Sequence, residues 1–417
     1  MTLESATATT ASRHGSRRLD PSGLAHRVTD GVAGVPWLVG AVLLSRLLVL
    51  IAGAYGVLVP RRWGLSPLAT HLGSLGDALA GPAARFDAGY YLAIASHGYA
   101  SKSVLPVFFP LYPLLMHVLG FLTGSDVIAG VAISWTSFGV ALVLLHRLTE
   151  LELGRRAADA TVLLLAFTPL SFFFTAVYTE SLFLLFSVAT LLAAKRERWA
   201  LAAVLGALAT LTRVTGILLV LPILIMHLPS RRRLSSQLGW VLLMPAALLG
   251  YLAFLAANGF SWLAPFQDEA HWGRHTAGPI GGIVLAVRLA IRSAGTIIRG
   301  AQPIYDPTRY ALLSPAAECV YLLLVLLIAC VALAYCLRRL PLEYGAYAAA
   351  ALMMCISSPI PAQPLVSLDR YVLTIFPLWM AAGAWIAKRR LERPAVAAGA
   401  ILLAFYTVQF ASAAFVA

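Results

Sequence analysis

Four separated stretches hold the ionisable residues whose types could do chemistry. "RFDAGYYLAIASHGY" (85–99) sets Asp87 beside Arg85, His97, Tyr90, Tyr91 and Tyr99, and "VYTES" (177–181) carries Tyr178 and Glu180. "TLTRVTG" (210–216) carries Arg213, and "SLDRY" (367–371) carries Asp369 and Arg370. A carboxylate can take the proton of an attacking hydroxyl, and the planar fork of arginine suits phosphate or carboxylate oxygens. Gathered at one place, these groups would handle a proton and an anion.

Each also has a plainer role. Asp87 could cap a helix or pair with Arg85, and Glu180 could pair with Arg213 or Arg370 to hold helices together. Arg213 could snorkel to lipid headgroups, and Tyr90, Tyr91, Tyr99 and Tyr178 suit an interfacial aromatic belt. Arg46 reads as the neutraliser of a buried acid. His271 and His275 in "HWGRH" stand four apart, but no acid-rich third ligand set accompanies them, so no metal is expected. His71 and His117 have no assigned role.

The elements that position these groups follow from composition. The chain is 60% hydrophobic and only 12% charged over 417 residues, with a mean hydropathy of +0.83. That excludes an ordinary soluble enzyme. Apolar runs near the roughly 20 residues that cross a bilayer as a helix recur along the chain. The first, 35–59, is too long for a signal-peptide core and should remain as a span. The net charge of +13 lies in short clusters and not on one face, so topology explains it better than nucleic acid. Cys319, Cys330, Cys336 and Cys355 lie in or beside apolar runs and read as packing.

Five clusters hold 15 of the 31 basic residues: Arg147 with Arg155 and Arg156; Lys195, Arg196 and Arg198; Arg231–Arg233; Arg338 and Arg339; Lys388–Arg390 with Arg393. The positive-inside tendency puts them in the cytoplasm with residues 1–34, a polar, basic tail expected to be disordered. Parity then requires that "LPVFFPLYPLLMHVLGFLTG" (105–124), with Pro110 and Pro113, be re-entrant or interfacial and not a crossing. Eleven spans follow, near 35–59, 126–146, 157–175, 178–194, 199–212, 215–229, 238–257, 311–337, 343–358, 371–387 and 395–415. The expected fold is thus an all-α polytopic membrane protein, residues 35–417 forming one transmembrane domain. Its external segments are 60–125, 258–310 and 359–370. Within the second, 281–300 reads as an amphipathic surface helix. "TLTRVTG" breaks two short spans, which implies a cavity on the outer side.

"RFDAGYYLAIASHGY" followed by "FFPLYPLL" resembles the first-outer-loop signature of the PIG-V family, whose eukaryotic members add the second mannose in GPI-anchor synthesis. "VYTESLFLLFSVATLLAAKRERWALAAVLGALATLTRVTG" and "SLDRYVLTIFPLW" are similar to its middle and C-terminal blocks. Phe86 stands where the family often has Trp. The resemblance implies a GT-C-like bundle of about 11 transmembrane helices. It also implies a glycosyltransferase that takes a sugar, mannose by analogy, from a polyprenyl phosphate at the outer face of the plasma membrane, with the N-terminus cytoplasmic. In that chemistry Asp87 is the general base and Arg213 and Arg370 bind the donor phosphate. Glu180 orients sugar hydroxyls or an arginine, and Arg85, Tyr90, Tyr91, His97 and Tyr178 support substrate binding. The re-entrant "FFPLYPLL" segment would shape a groove for the isoprenoid tail. Displacement from a β-linked donor inverts the anomeric centre. The expected partners are membrane lipid, the polyprenyl-linked donor and a glycolipid or glycan acceptor, with no nucleic acid and no cofactor. Another polyprenyl-linked sugar, a lipid transporter and a non-catalytic scaffold are the competing readings; the matching halves common in transporters are not visible.

Overall fold

The structure, a computed structural model, describes residues 35–58, 79–99, 104–230, 236–305 and 313–412, with Gly76, Ala414 and Val416 besides. The tail 1–34, His71, Arg231–Arg233 and parts of the first and second external segments lie outside the described residues. Those described form 16 α-helices and no named strand: α1 Val35–Leu58, α2 Ala88–His97, α3 Leu111–Thr123, α4 Asp126–Leu153, α5 Arg155–Phe167, α6 Glu180–Lys195, α7 Trp199–Thr212, α8 Val220–Ser230, α9 Leu243–Ala257, α10 Ala264–Gln267, α11 Gly278–Ile298, α12 Pro315–Arg339, α13 Leu342–Ile356, α14 Leu368–Val372, α15 Phe376–Arg389 and α16 Glu392–Ala411. Local signals start the long ones. Ser125 Oγ accepts from the N–H of Ile128 at 3.5 Å and Ser314 Oγ from that of Ala317 at 3.2 Å, with Pro315 opening α12.

Each expected span coincides with a helix, but among the described residues six helical segments are long and apolar enough to cross a membrane: Pro36–Leu58, Asp126–Leu153, Gln237–Ala257, Gly278–Ile298, Pro315–Arg339 and Glu392–Ala411. This is a membrane protein. The expected spans 157–175, 178–194, 199–212, 343–358 and 371–387 are helices of only 13, 16, 14, 15 and 14 residues. They stop short because the chain leaves the helix at one end of the bundle. Ser171–Phe174 and Val214–Leu219 continue as tighter 3-10 turns, and those turns frame a cavity.

The two ends of the bundle differ in kind. At one, Lys195 pairs with Glu152 at 2.6 Å and Glu343 at 3.6 Å, Arg156 with Glu392 at 2.9 Å, and His146 with Asp159 at 2.8 Å. There α5 begins, α6 ends, α13 begins and α16 begins. Asp87, Glu180, Arg213 and Arg370 meet at the other. The hairpin α3–α4 lies at this second end, where Tyr112 Oη donates to the carbonyl of Gly130 at 3.0 Å and pairs with Ser134 Oγ at 2.9 Å. So α3 dips alongside the first part of α4 and turns back.

Helix α11 meets the length and hydropathy expected of a span, yet Gly282 packs against the carbonyl of Ile356 at the end of α13, and Ser293 against Cys319 at the start of α12. Both partners lie at the site end, so α11 runs across α12 and α13. Its buried stripe is small, Gly282, Ala286 and Ala290, and Arg288 and Arg292 are exposed.

Among the described residues Arg46 pairs with no acid, contrary to expectation. It donates to the carbonyls of Ala166 (3.2 Å) and Ser171 (2.8 Å) and to the hydroxyls of Ser171 (2.6 Å) and Thr175 (2.7 Å), and lies over the Phe138 ring. These oxygens lie at the end of α5 and along the 3-10 turn that follows it, where a guanidinium can satisfy several at a time. Of the cysteines, Cys319 and Cys336 are buried, Cys355 is half-buried and Cys330 is exposed.

The break after α7 depends on Gly216. Its Cα approaches Ala209 and Thr210 so closely that a Cβ would overlap their backbone. Gly216→Ala should therefore lower thermal stability in detergent by about 1–3 kcal/mol, the usual cost of overpacking. An unchanged melting temperature would show that the break tolerates expansion.

Candidate functional site

Two strained turns deliver the charged residues. Phe86 (φ +52°) immediately precedes Asp87, and Ser367 (φ +64°) precedes Leu368, Asp369 and Arg370. A non-glycine residue held left-handed costs about 1–3 kcal/mol, and both side chains line one cavity of about 400 Å³. That volume falls within the range of small-molecule sites.

Asp87 occupies the N-cap position of α2, but its carboxylate makes no cap hydrogen bond. Oδ2 instead accepts from Nη1 of Arg370 at 2.7 Å. Neither plainer reading of Asp87, the cap or the Arg85 pair, describes this contact. Arg370 Nε also donates to Oε1 of Glu180 at 2.6 Å, and Arg213 Nη1 donates to the same oxygen at 2.8 Å. Glu180, the first residue of α6, is fully buried, and its Oε2 has no hydrogen-bond partner among the described residues. One carboxylate thus joins α6, the α7 break and α14.

Aromatic rings and hydroxyls hold the cations. The Arg370 guanidinium lies 4.5 Å from the Tyr178 ring centre and 5.2 Å from that of Phe173. Arg213 stands 5.5 Å from the ring centre of Tyr371 and donates to Thr179 Oγ1 at 3.1 Å. It therefore turns inward and does not snorkel. Tyr178 Oη accepts from the N–H of Asp87 at 3.2 Å and donates to the carbonyl of Arg85 at 3.1 Å, locking the turn that presents Asp87. Asp369 does not reach the cavity. Its Oδ1 accepts from the N–H of Arg370 at 2.9 Å and its Oδ2 from Tyr321 Oη at 3.1 Å. Burial pushes its carboxyl up to about 6, against the lowering effect of that N–H.

Of the residues singled out in the sequence, Asp87, Tyr91, Tyr178, Arg213 and Arg370 line the cavity. Tyr91 is almost fully buried, its Oη 3.3 Å from Thr179 Oγ1, and burial raises its phenol to about 12. Tyr178 is 1% exposed, so its ring carries Arg370 and has no face left for a sugar. Glu180 lies behind the arginines and holds them; its unpartnered Oε2 is buried, and Glu180 is not among the residues that line the cavity. Tyr90 stacks on Phe108 at 4.6 Å outside the cavity wall, Arg85 is buried away from it, and His97 is exposed at the end of α2. His117 is exposed on α3.

Sequence reading missed Glu269, Trp272, Arg274 and Tyr371, all in the cavity wall. Arg274 donates to the carbonyls of Ser358 (3.2 Å) and Val366 (3.3 Å) and to Tyr371 Oη (3.3 Å). It stands inside "HWGRH", a motif read only for its histidines. His271 and His275 are exposed, and no three His, Cys, Asp or Glu side chains cluster as a metal would need among the described residues.

Residues 65–230 match the family model for Mannosyltransferase (PIG-V). This stretch contains Asp87, Glu180 and Arg213 and the first two blocks of the resemblance; Arg370 lies beyond it. The match supports a membrane glycosyltransferase. No curated protein matches the sequence. Among solved structures the chain is similar to ArnT from Cupriavidus metallidurans in the apo state, at 15% identity and TM-score 0.49, over 91% of this chain and 76% of that one. It is also similar to the Archaeoglobus fulgidus oligosaccharyltransferase in the apo form, at 14% identity and TM-score 0.42, over 90% of this chain and 56% of that one. The same enzyme tethered with an acceptor peptide gives 12% identity and TM-score 0.43, over 90% and 55%. This chain thus spans little more than half the oligosaccharyltransferase's length.

Glu180→Gln keeps the shape but leaves two buried guanidiniums without their shared anion. A loss of about 3–5 kcal/mol is expected, the cost of breaking a buried ion pair, read as a fall in melting temperature. Asp369 titrates differently. Its carboxyl is raised from 3.8 to about 6 in the fold, so the stability it contributes is present below pH 3.8 and is lost as pH rises through about 6. The melting temperature of Asp369→Asn should therefore fall less than that of the parent between pH 4 and pH 7; identical profiles would reject the assignment.

Proposed function

We propose that the protein transfers a mannosyl residue from a polyprenyl phosphate to an acceptor hydroxyl, with inversion. The site faces the outer side of the plasma membrane and the basic end of the bundle faces the cytoplasm. The observation that carries this reading is the contact of Asp87 with Arg370 in the cavity wall, with Arg213 beside it on the same buried carboxylate. An acid and two arginines at the bundle end remote from the basic clusters match what such a transfer demands.

The acceptor oxygen attacks the anomeric carbon opposite the phosphate. Its proton passes to Asp87 as the new C–O bond forms and the bond to the phosphate oxygen breaks. The leaving group departs as a phosphate monoester anion, so it requires positive charge and no strong acid. Arg370 and Arg213 supply that charge through charge-assisted hydrogen bonds. Their link to Asp87 couples the two events. When Asp87 takes the proton it loses the charge that engages Nη1 of Arg370, and that donor becomes free for the phosphate as its charge grows. Glu180 keeps both guanidiniums in place throughout and touches neither substrate. This chemistry needs no cofactor from the protein.

The apolar part of the wall, with Phe86, Phe173, Phe410 and Ile375, suits the first isoprene units beyond the phosphate. Leu114, Val118, Phe121 and Leu122 are exposed on α3 and offer a further apolar surface for lipid.

Asp87→Asn should bind polyprenyl phosphate mannose like the parent but turn over at least about 100-fold more slowly, the scale of general-base catalysis. Arg213→Ala should weaken donor binding by about tenfold or more, through a lost charged hydrogen bond. Radiolabelled transfer and donor titration read both. Equal turnover by parent and Asp87→Asn would remove Asp87 from the chemistry, and transfer from a different polyprenyl-linked sugar alone would overturn the mannose assignment.

A further inference from the structure

One short turn builds part of the cavity wall. Residues Asp268–Trp272 form a 3-10 turn, and Glu269, Trp272 and Arg274 from it and its exit line the cavity. Backbone bonds anchor the exit: the N–H groups of Ala277 and Gly278 donate to the carbonyl of Ser357 at 3.0 and 3.1 Å, and that of His275 to Pro359 at 3.3 Å. The Arg274 guanidinium is spent on the same neighbourhood, as described above. The turn is therefore a fixed wall.

Within it, Glu269 has no hydrogen bond and no ion pair among the described residues. Burial raises its carboxyl, and only the field of Arg274 opposes that. A half-buried carboxylate without donors costs free energy, and a ligand that brings hydroxyl donors would recover it. Trp272 meets Tyr90 edge-on at 6.0 Å and Phe108 at 6.1 Å, so its ring is braced on two sides. Tyr90 is three residues past Asp87, so the ring that Trp272 meets stands one helical turn from the proposed base, and Trp272 and Asp87 line the same cavity. A fixed indole beside an unsatisfied carboxylate is complementary to a sugar ring, which has a flat C–H face and a rim of hydroxyls. A simple alkyl alcohol or a serine side chain would use neither group.

We propose that the Glu269–Trp272 turn is the subsite for a sugar ring of the glycolipid or glycan acceptor, with Glu269 and Trp272 as the residues that recognise it. Trp272 stacks on the ring and Glu269 accepts from its hydroxyls, leaving one further hydroxyl directed to Asp87. This rests on the transferase reading and assigns the acceptor-recognition residues within it.

The test uses the full chain in lipid nanodiscs with methyl α-D-mannopyranoside as probe. Saturation-transfer NMR measures its binding, and transfer from polyprenyl phosphate mannose measures KM for probe and donor separately. Trp272→Leu and Glu269→Gln should each weaken probe binding and raise the probe's KM by about tenfold while the donor's KM stays unchanged, as for loss of one strong contact. Trp272→Phe, which keeps a ring, should recover most of the binding, a pattern that misfolding would not produce. Probe binding or KM unaltered in both variants, or no saturation transfer in the parent, would overturn the subsite. Loss in Trp272→Phe equal to that in Trp272→Leu would overturn the stacking role. Probe binding that depends on Trp272 and Glu269 without any transfer would leave the subsite standing and reject the transferase reading instead.

Discussion

The architecture at the site rests on one buried carboxylate. Glu180 has no exposed surface, and a single oxygen accepts from both Arg213 and Arg370 at 2.8 and 2.6 Å. An isolated charge at that depth would cost far more than the fold could sustain. Two guanidiniums repay the cost only if they come from elements that can be brought to the same point. That requirement dictates where α7 must break, where α14 must enter and, through the second contact of Arg370, where the turn before α2 must hold Asp87.

The helices answer by ending early. Several are too short to cross a bilayer, and their chains finish in 3-10 turns at the cavity end. Backbone groups released there need partners that lipid cannot supply. Arg46 satisfies four oxygens around the end of α5, Tyr178 bridges the backbone of Arg85 and Asp87, and Arg274 closes the carbonyls of Ser358 and Val366. Phe86 and Ser367 absorb the remaining strain in left-handed turns beside the charges they position. Irregular backbone, buried arginine and local strain thus occur together because each follows from opening a polar cavity inside an apolar bundle.

Much of the helix layout was legible because apolar length and charge placement are local properties. The break at "TLTRVTG" showed in its short flanking runs, and the basic clusters separated the two ends of the bundle. Less legible was how far each helix extends. Residues 168–175 belong to an expected span, yet Pro169 ends α5 just before them and Arg46 takes up carbonyl oxygens released there. Helix α11 is the converse: its composition admits a crossing, while the contacts of Gly282 and Ser293 lay it across its neighbours.

For the site, residue type alone singled out Asp87, Glu180, Arg213 and Arg370, since charge in an apolar chain demands a reason. The pairing of Glu180 with Arg213 and Arg370 was among the readings the sequence offered; that of Asp87 with Arg370 came from tertiary structure, because the two lie 283 positions apart and no local pattern links them. The same holds for Glu269, Trp272 and Arg274, ordinary residues of a loop until the bundle folds them into a wall. His97, close to Asp87 in sequence, is turned away because ten residues of helix separate the two ends of α2. Sequence by itself determined which groups are charged and which segments are apolar enough to be helical, since both depend on side chains alone. Which charges share an oxygen, which rings carry them and which helices stop short was decided by packing, where burial makes an unpaired charge too costly to keep.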